Sequence, residues 1–284
     1  MKDHNFKPHH MNAISSDFKG NNGFGRYILL PGSDGRAEKI SRLFSNLEVK
    51  KHGRGHNLYK GTIKRNGITI DVGAISSGMG TPSLDIIVHE LFHLGARRLL
   101  RVGTSGSMQP KRIRVGSLVV PTACVRDEGT SRLYMPLEVP ATVSPRFFEA
   151  IKNATIALGF RKQTFLGIVH SKDSLYAREF KEGPLADEHR NYMNILKKCG
   201  VIASEMECSQ LFTLGMTFTQ QLLEESENND NIVDFQTASV LSIIGDDAPF
   251  ADENLVQQAI KDSIDLSIES LYQLYLLDNK IQGK

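Results

Sequence analysis

Short apolar runs alternate with amphipathic segments along most of this chain, and that alternation limits the fold more than any other feature. Tyr27-Ile-Leu-Leu30 reads as a buried strand that stops at Pro31-Gly32. Arg36 to Phe44 has helical spacing, with Ala37, Ile40 and Leu43 on one face. Leu58–Ile63 and Ile68–Val72 form a hairpin around Asn66-Gly67, a dipeptide that tolerates the positive φ angles of a two-residue turn. Leu84 to Leu94 is an amphipathic helix ending at Gly95. Strands are predicted at Leu99–Val102, Ser117–Val120, Thr164–Val169 and Val240–Ile244, and helices at Pro145–Leu158, Met206–Thr219 and Leu255–Leu277. Such alternation predicts an α/β sheet with helices on both faces, and ligands in that architecture gather at the carboxyl ends of strands. Pro31-Gly32, Arg101–Gly106 and Gly245-Asp246 all fall at such ends.

The segment Leu99-Leu-Arg-Val-Gly-Thr-Ser-Gly-Ser-Met-Gln-Pro110 carries the most chemistry. An apolar run ends in an arginine, and Gly103-Thr-Ser-Gly106 is expected to follow as a tight polar loop. A guanidinium, hydroxyls and backbone N–H groups in one place suit a small oxyanion such as phosphate. An ordinary glycine-rich turn is the competing reading.

Composition narrows the partners. The 284 residues are enough for one large domain or two small ones, and a net charge of +2 provides no global field for nucleic acid or membrane. Cys124, Cys199 and Cys208 have no metal-ligand spacing and fit a reducing compartment. Met1-Lys-Asp-His-Asn-Phe6 lacks a signal-peptide core, and no apolar run reaches the roughly 18 residues of a membrane span, so a soluble cytoplasmic protein is expected. The acidic run Glu224–Asn231 is read as a solvated loop between a helix and a strand.

Five segments, in order, carry a family resemblance. They are Gly25–Ile40, Arg101–Pro110, Arg126-Asp-Glu-Gly-Thr-Ser-Arg-Leu-Tyr-Met-Pro136, Lys172-Asp-Ser-Leu-Tyr176 and Ala203-Ser-Glu-Met-Glu207. Together they resemble the uridine phosphorylases, within the wider nucleoside phosphorylase superfamily, from about His10 to the final helix. The resemblance implies a single α/β domain over residues 25–284, with a central mixed, partly barrel-like sheet flanked by helices. Residues 1–24 would be an N-terminal segment reaching a neighbouring subunit. It also implies a homodimer with shared active sites, assembled into hexamers, and a phosphorolysis in which inorganic phosphate attacks the ribose C1′ and the base leaves. No cofactor is implied. No metal is expected either, because Gly55 stands where some uridine phosphorylases place a cation-binding glutamate.

By the same resemblance, Gly32, Arg36, Arg101 and Thr104 would hold phosphate, and Arg54 would reach a neighbour's phosphate. Two guanidiniums, a hydroxyl and an N–H suit a tetrahedral oxyanion. Glu205, Met206 and Glu207 would form the ribose site, since a carboxylate can grip a diol. His9 or His10 would reach the 5′-hydroxyl of an adjacent subunit. Ser105, Gly106, Leu175, Arg178, Ile244 and Asp246 would line the base pocket. That pocket departs from the family pattern. Leu175 replaces an aromatic residue, and Tyr176 is followed by Ala177, Arg178, Glu179 and Phe180 rather than by the glutamine that reads uracil. Asp246 and Asp247 either cap a turn before Pro249 or supply an acid to a leaving purine. The expectation is a nucleoside phosphorylase of the uridine phosphorylase type. The alternatives are a purine or other nucleoside phosphorylase, or a member that binds ligand without turnover.

Overall fold

The computed structural model describes residues 6–225, 233–246 and 252–281. Ten strands form one sheet: β1 Tyr27–Pro31, β2 Ser45–Lys50, β3 Leu58–Arg65, β4 Ile68–Ala74, β5 Arg98–Ser107, β6 Leu118–Asp127, β7 Ala141–Thr142, β8 Thr164–Lys172, β9 Ala203–Glu205 and β10 Gln236–Gly245. Six α-helices accompany them among the described residues: α1 Asp34–Ser41, α2 Thr81–His93, α3 Pro145–Ala157, α4 Ala186–Lys198, α5 Cys208–Glu225 and α6 Glu253–Ile281.

The strand order β10-β6-β8-β9-β5 closes on itself because β10 also pairs with β5, so five strands make a mixed barrel. From β5 an open wing continues through β1, β4, β3 and β2. All five residues of β1 are buried, as expected for a strand flanked on both sides by parallel partners. The hairpin between β3 and β4 turns where expected, with Asn66 at φ 47° and Gly67 at φ 79°. The core runs through both halves and includes Phe92, Phe218 and Phe235, whose rings pack face to face and edge to face.

Several boundaries differ from the sequence reading. Gly103–Gly106 is not a loop but the second half of β5. Strand β10 pairs with it from Leu241↔Gly103 onward, and β9 pairs at Gly106↔Ser204. These partners are remote in sequence, so local glycine content gives no warning of them. Gly103 matters sterically: a Cβ there would stand 2.7 Å from Leu241 Cδ2 and 3.1 Å from Arg101 Nε. Its bare backbone leaves room for the Arg101 guanidinium to lie back over the strand.

Strands β6 and β8 likewise run well past their predicted ends. Helix α1 stops at Ser41, so Leu43 lies beyond it and is 51% exposed, while Ala37 and Ile40 are buried as expected. Helix α5 begins at Cys208 rather than Met206 and includes Glu224 and Glu225; Ser226–Asn231 of the acidic run lie outside the described residues. Residues of the N-terminal segment fold against their own chain, burying Met11, Ala13, Phe18 and Phe24. No helix among the described residues is long and apolar enough to cross a membrane.

One ionic cluster ties the final helix to the sheet. Asp278 of α6, fully buried, accepts from Arg98 Nε at 2.9 Å, Arg146 Nη1 at 3.0 Å and Tyr27 Oη at 2.7 Å. Arg98 is itself fully buried at the start of β5. Removing one member of such a cluster strands the opposite charge in a dry environment. Asp278→Ala is therefore expected to cost about 3–5 kcal/mol, seen as a lower urea midpoint with an unchanged slope.

Candidate active site

The carboxyl ends of β1, β5 and β10, the start of α5 and the turn after β8 open onto one cavity of about 870 Å³. Gly32, Arg36, Arg101, Thr104, Ser105, Gly106, Leu175, Ile244, Asp246, Glu205, Met206 and Glu207 all line it. Residues predicted from five separated segments thus converge in space.

The cationic corner is built by β5 and α1. Arg101 is buried, and its Nε and Nη1 have no hydrogen-bond partner among the described residues. Its Nη2 donates to Glu207 Oε2, and its Nε lies 3.5 Å from Glu205 Oε2. Burial opposes the guanidinium charge, but Glu207 and Glu205 more than offset this and hold it firmly protonated. Arg36 lies beside it with one long bond, Nη1 to the Val102 carbonyl at 3.4 Å. Burial and the Arg101 charge push the Arg36 guanidinium below its usual range. Two guanidiniums held together, with buried N–H groups left over, are arranged to receive an oxyanion. Ser105 Oγ is also buried at this strand end, without a hydrogen-bond partner among the described residues.

The two acids of the Glu205–Glu207 motif have different roles. Glu205 Oε2 accepts from the backbone N–H of Glu207 at 2.8 Å and of Cys208 at 2.9 Å, and Oε1 accepts from Ser171 Oγ. It caps α5 and orients Arg101, with its oxygens already committed. Glu207 Oε1 accepts from the Gly80 N–H at 2.7 Å, and Oε2 accepts from Arg101. Burial raises the Glu207 pKa, Arg101 lowers it, and the Glu205 charge raises it, for a net upward shift. Glu207 faces the cavity and is the carboxylate available for a ligand's hydroxyls.

Five predicted residues lie elsewhere or are otherwise engaged. Arg178 does not line this cavity; it borders a separate hollow of about 340 Å³. Its Nε and Nη2 reach Asp127 at 2.7 and 2.9 Å, its Nη1 contacts His189 Nδ1 at 2.7 Å, and it stacks 4.6 Å over Tyr192. The reason is a single π-helical turn over Leu175–Glu179, which presents Leu175 and Glu179 to the cavity and Arg178 away from it. His10 Nδ1 sits 2.8 Å from Glu90 Oε1, and the His9 N–H donates to the same oxygen, which anchors both against α2. Arg54 is exposed on a turn. Asp246 lines the cavity, with Oδ2 3.5 Å from Arg114 Nε and 3.4 Å from the Val115 N–H. Asp247, Pro249 and Phe250 lie outside the described residues.

Sequence reasoning gave Lys172 no site role and noted Glu179 only as a departure from the family pattern. Both line the cavity and pair at 2.9 Å. For the first, the available signal was a lysine opening the Lys172–Tyr176 motif just past the predicted strand. Spacing of four from Leu175 was the signal for the second. Met193 and Asn194 of α4 complete the wall without any local cue.

A family model described as the phosphorylase superfamily matches residues 26–224. The chain belongs to that superfamily. Among its relatives, a uridine phosphorylase of Treponema pallidum is 38% identical over 192 residues, which is 67% of this chain and 72% of that protein. A uridine phosphorylase of Haemophilus influenzae is 34% identical over 209 residues, 72% of this chain and 79% of that one. A crystal structure of uridine phosphorylase from Vibrio fischeri superposes with a TM-score of 0.69 at 26% identity, covering 86% of this chain and 91% of the other.

The division between the two acids yields a contrast. Glu205→Ala is expected to lower stability by about 3 kcal/mol, through loss of a helix cap and of hydrogen bonds to a charged group. Glu207→Gln keeps the shape but removes the charge that faces the buried Arg101; it is expected to lower the urea midpoint by less than Glu205→Ala does, because Glu205 still faces Arg101 and the helix cap survives, and to lose nucleoside affinity in addition. Parallel denaturation curves and nucleoside titrations check both.

Proposed function

We propose that this chain is a uridine phosphorylase: it converts uridine and inorganic phosphate to uracil and ribose 1-phosphate, a pentosyl transfer. The observation that carries the reading is the Arg101 guanidinium, with buried free N–H groups beside Arg36 and a direct bond to Glu207. It joins an anion site to a diol-gripping carboxylate within one cavity, as phosphorolysis of a nucleoside requires. Arg36, Arg101, Thr104 and the Gly32 backbone hold phosphate. Glu207 accepts from the ribose 2′- and 3′-hydroxyls, and Met206 packs on the sugar. A phosphate oxygen attacks C1′ while the C1′–N1 bond breaks. The electron pair leaves on the base, and the Glu207 carboxylate favours positive charge on the ribose in the transition state. Rate comes chiefly from positioning the two substrates.

The same proposal makes the working unit a homodimer in which Arg54 and His10 serve the partner's site. In support, both lie outside their own chain's cavity, Arg54 on an exposed turn.

Incubation with uridine, with and without phosphate, tests the reaction. Uracil release is expected only with phosphate. Arg101→Ala is expected to raise the phosphate KM or lower kcat/KM for phosphate by about 10²-fold, as befits loss of a hydrogen-bonded charge at the reacting anion. Phosphate-independent release of uracil would instead mark a hydrolase.

A further inference from the structure

The Lys172–Glu179 pair stands in the cavity wall, and the reaction as described makes no use of it. Lys172 is the last residue of β8 and is 2% exposed. Its ammonium donates to Ser204 Oγ at 2.7 Å and lies 2.9 Å from Glu179 Oε2. The Ser204 hydroxyl is fixed in turn by His170 Nδ1 at 3.0 Å, whose Nε2 meets Asp127 at 2.8 Å. The ammonium is therefore held in place from behind. Glu179 keeps 25% of its side chain accessible, on the cavity side. Its Oε1 lies 3.5 Å from where a Cβ on Gly106 would stand, so the carboxylate sits over the bare end of β5. Gly106 pairs with Ser204, three residues before Glu207, so this slot adjoins the proposed ribose grip.

We propose that Lys172 and Glu179 read the edge of the nucleobase and select bases that carry a ring N–H next to a carbonyl. This rests on the reading of the cavity as a nucleoside phosphorylase site. A carboxylate only accepts and an ammonium only donates. Side by side in the cavity wall, they match an N–H donor beside a C=O acceptor along one base edge. Uracil presents that pair at N3 and O4, and a 6-oxopurine presents it at N1 and O6. Cytosine and adenine present a ring-nitrogen acceptor beside an amino donor, which inverts the pattern. Glu179 would then meet a lone pair and Lys172 an N–H, and a mismatch of buried polar groups discriminates strongly. The Lys172 charge holds the Glu179 carboxyl below its usual range despite burial, so the acceptor stays ionised at neutral pH. The lactam rule lets one pocket admit pyrimidine and purine oxo-bases alike.

The test compares phosphorolysis of uridine, 3-methyluridine, cytidine, inosine and adenosine by the wild-type protein, Glu179→Ala and Glu179→Gln. For wild type, kcat/KM is expected to fall about 100-fold from uridine to 3-methyluridine, the upper range for loss of a hydrogen bond to a charged group. Glu179→Ala is expected to use the two equally, at the lower rate, with an unchanged phosphate KM. Glu179→Gln keeps the shape and adds a donor, so its uridine-to-cytidine ratio is expected to narrow at least about tenfold. A Glu179→Ala protein that still prefers uridine over 3-methyluridine as wild type does overturns the proposal. So does an unaltered uridine-to-cytidine ratio in Glu179→Gln. Wild-type cleavage of inosine but not uridine or adenosine would remove the pyrimidine reading while supporting the lactam rule. Equal cleavage of uridine and cytidine by wild type would do the reverse.

Discussion

Arg101 and the two glutamates around it are the interaction on which the site depends. A buried guanidinium is tolerated only where carboxylates face it, and buried carboxylates stay ionised only where a cation faces them. Glu205 and Glu207 meet Arg101 from the start of α5, so β5 and α5 are locked together at the edge of the cavity. Glu205 commits its oxygens to backbone N–H groups and to Ser171, which leaves Arg101 with N–H groups that have no hydrogen-bond partner among the described residues. The same balance that makes the fold affordable at this point therefore leaves capacity for an added anion.

Strand β5 carries that balance on one face and the fold's ionic anchor on the other. Arg98 and Arg101 are three residues apart, so their side chains point to opposite faces of the strand. Arg98 is clamped by Asp278 and Asp234, which fixes the strand to the C-terminal helix. Barrel closure through β10 then supports the strand to Gly106. The central strand of the site is held by a buried ion cluster at its start and by partners on both edges at its end.

Much of the fold was legible because the apolar runs and the Asn66-Gly67 turn act locally. Strand ends were not. Gly103–Gly106 resembled a loop until β9 and β10 supplied its hydrogen bonds, and Leu43 continued a helical pattern after the chain had left the helix. In the site, Arg36, Arg101 and Glu205–Glu207 were legible because each belongs to a dense local motif. Arg178 was misplaced because one π-helical turn shifts which side chain faces inward, and nothing in five residues announces that turn. The Lys172–Glu179 pairing depends on how that turn folds back over β8.

The sequence by itself determined the alternation of strands and helices, the hairpin, and the residue types needed to hold an oxyanion and a diol. These are properties of neighbouring residues and survive without knowledge of the rest of the chain. Only the tertiary structure decided that β5 runs to Ser107, that Glu205 is a cap while Glu207 faces the cavity, and that Glu179 rather than Arg178 borders that cavity. Those outcomes depend on hydrogen bonds and charge pairs between segments remote in sequence, such as Arg101 with Glu207 and Gly103 with Leu241, and come into being only when the barrel closes.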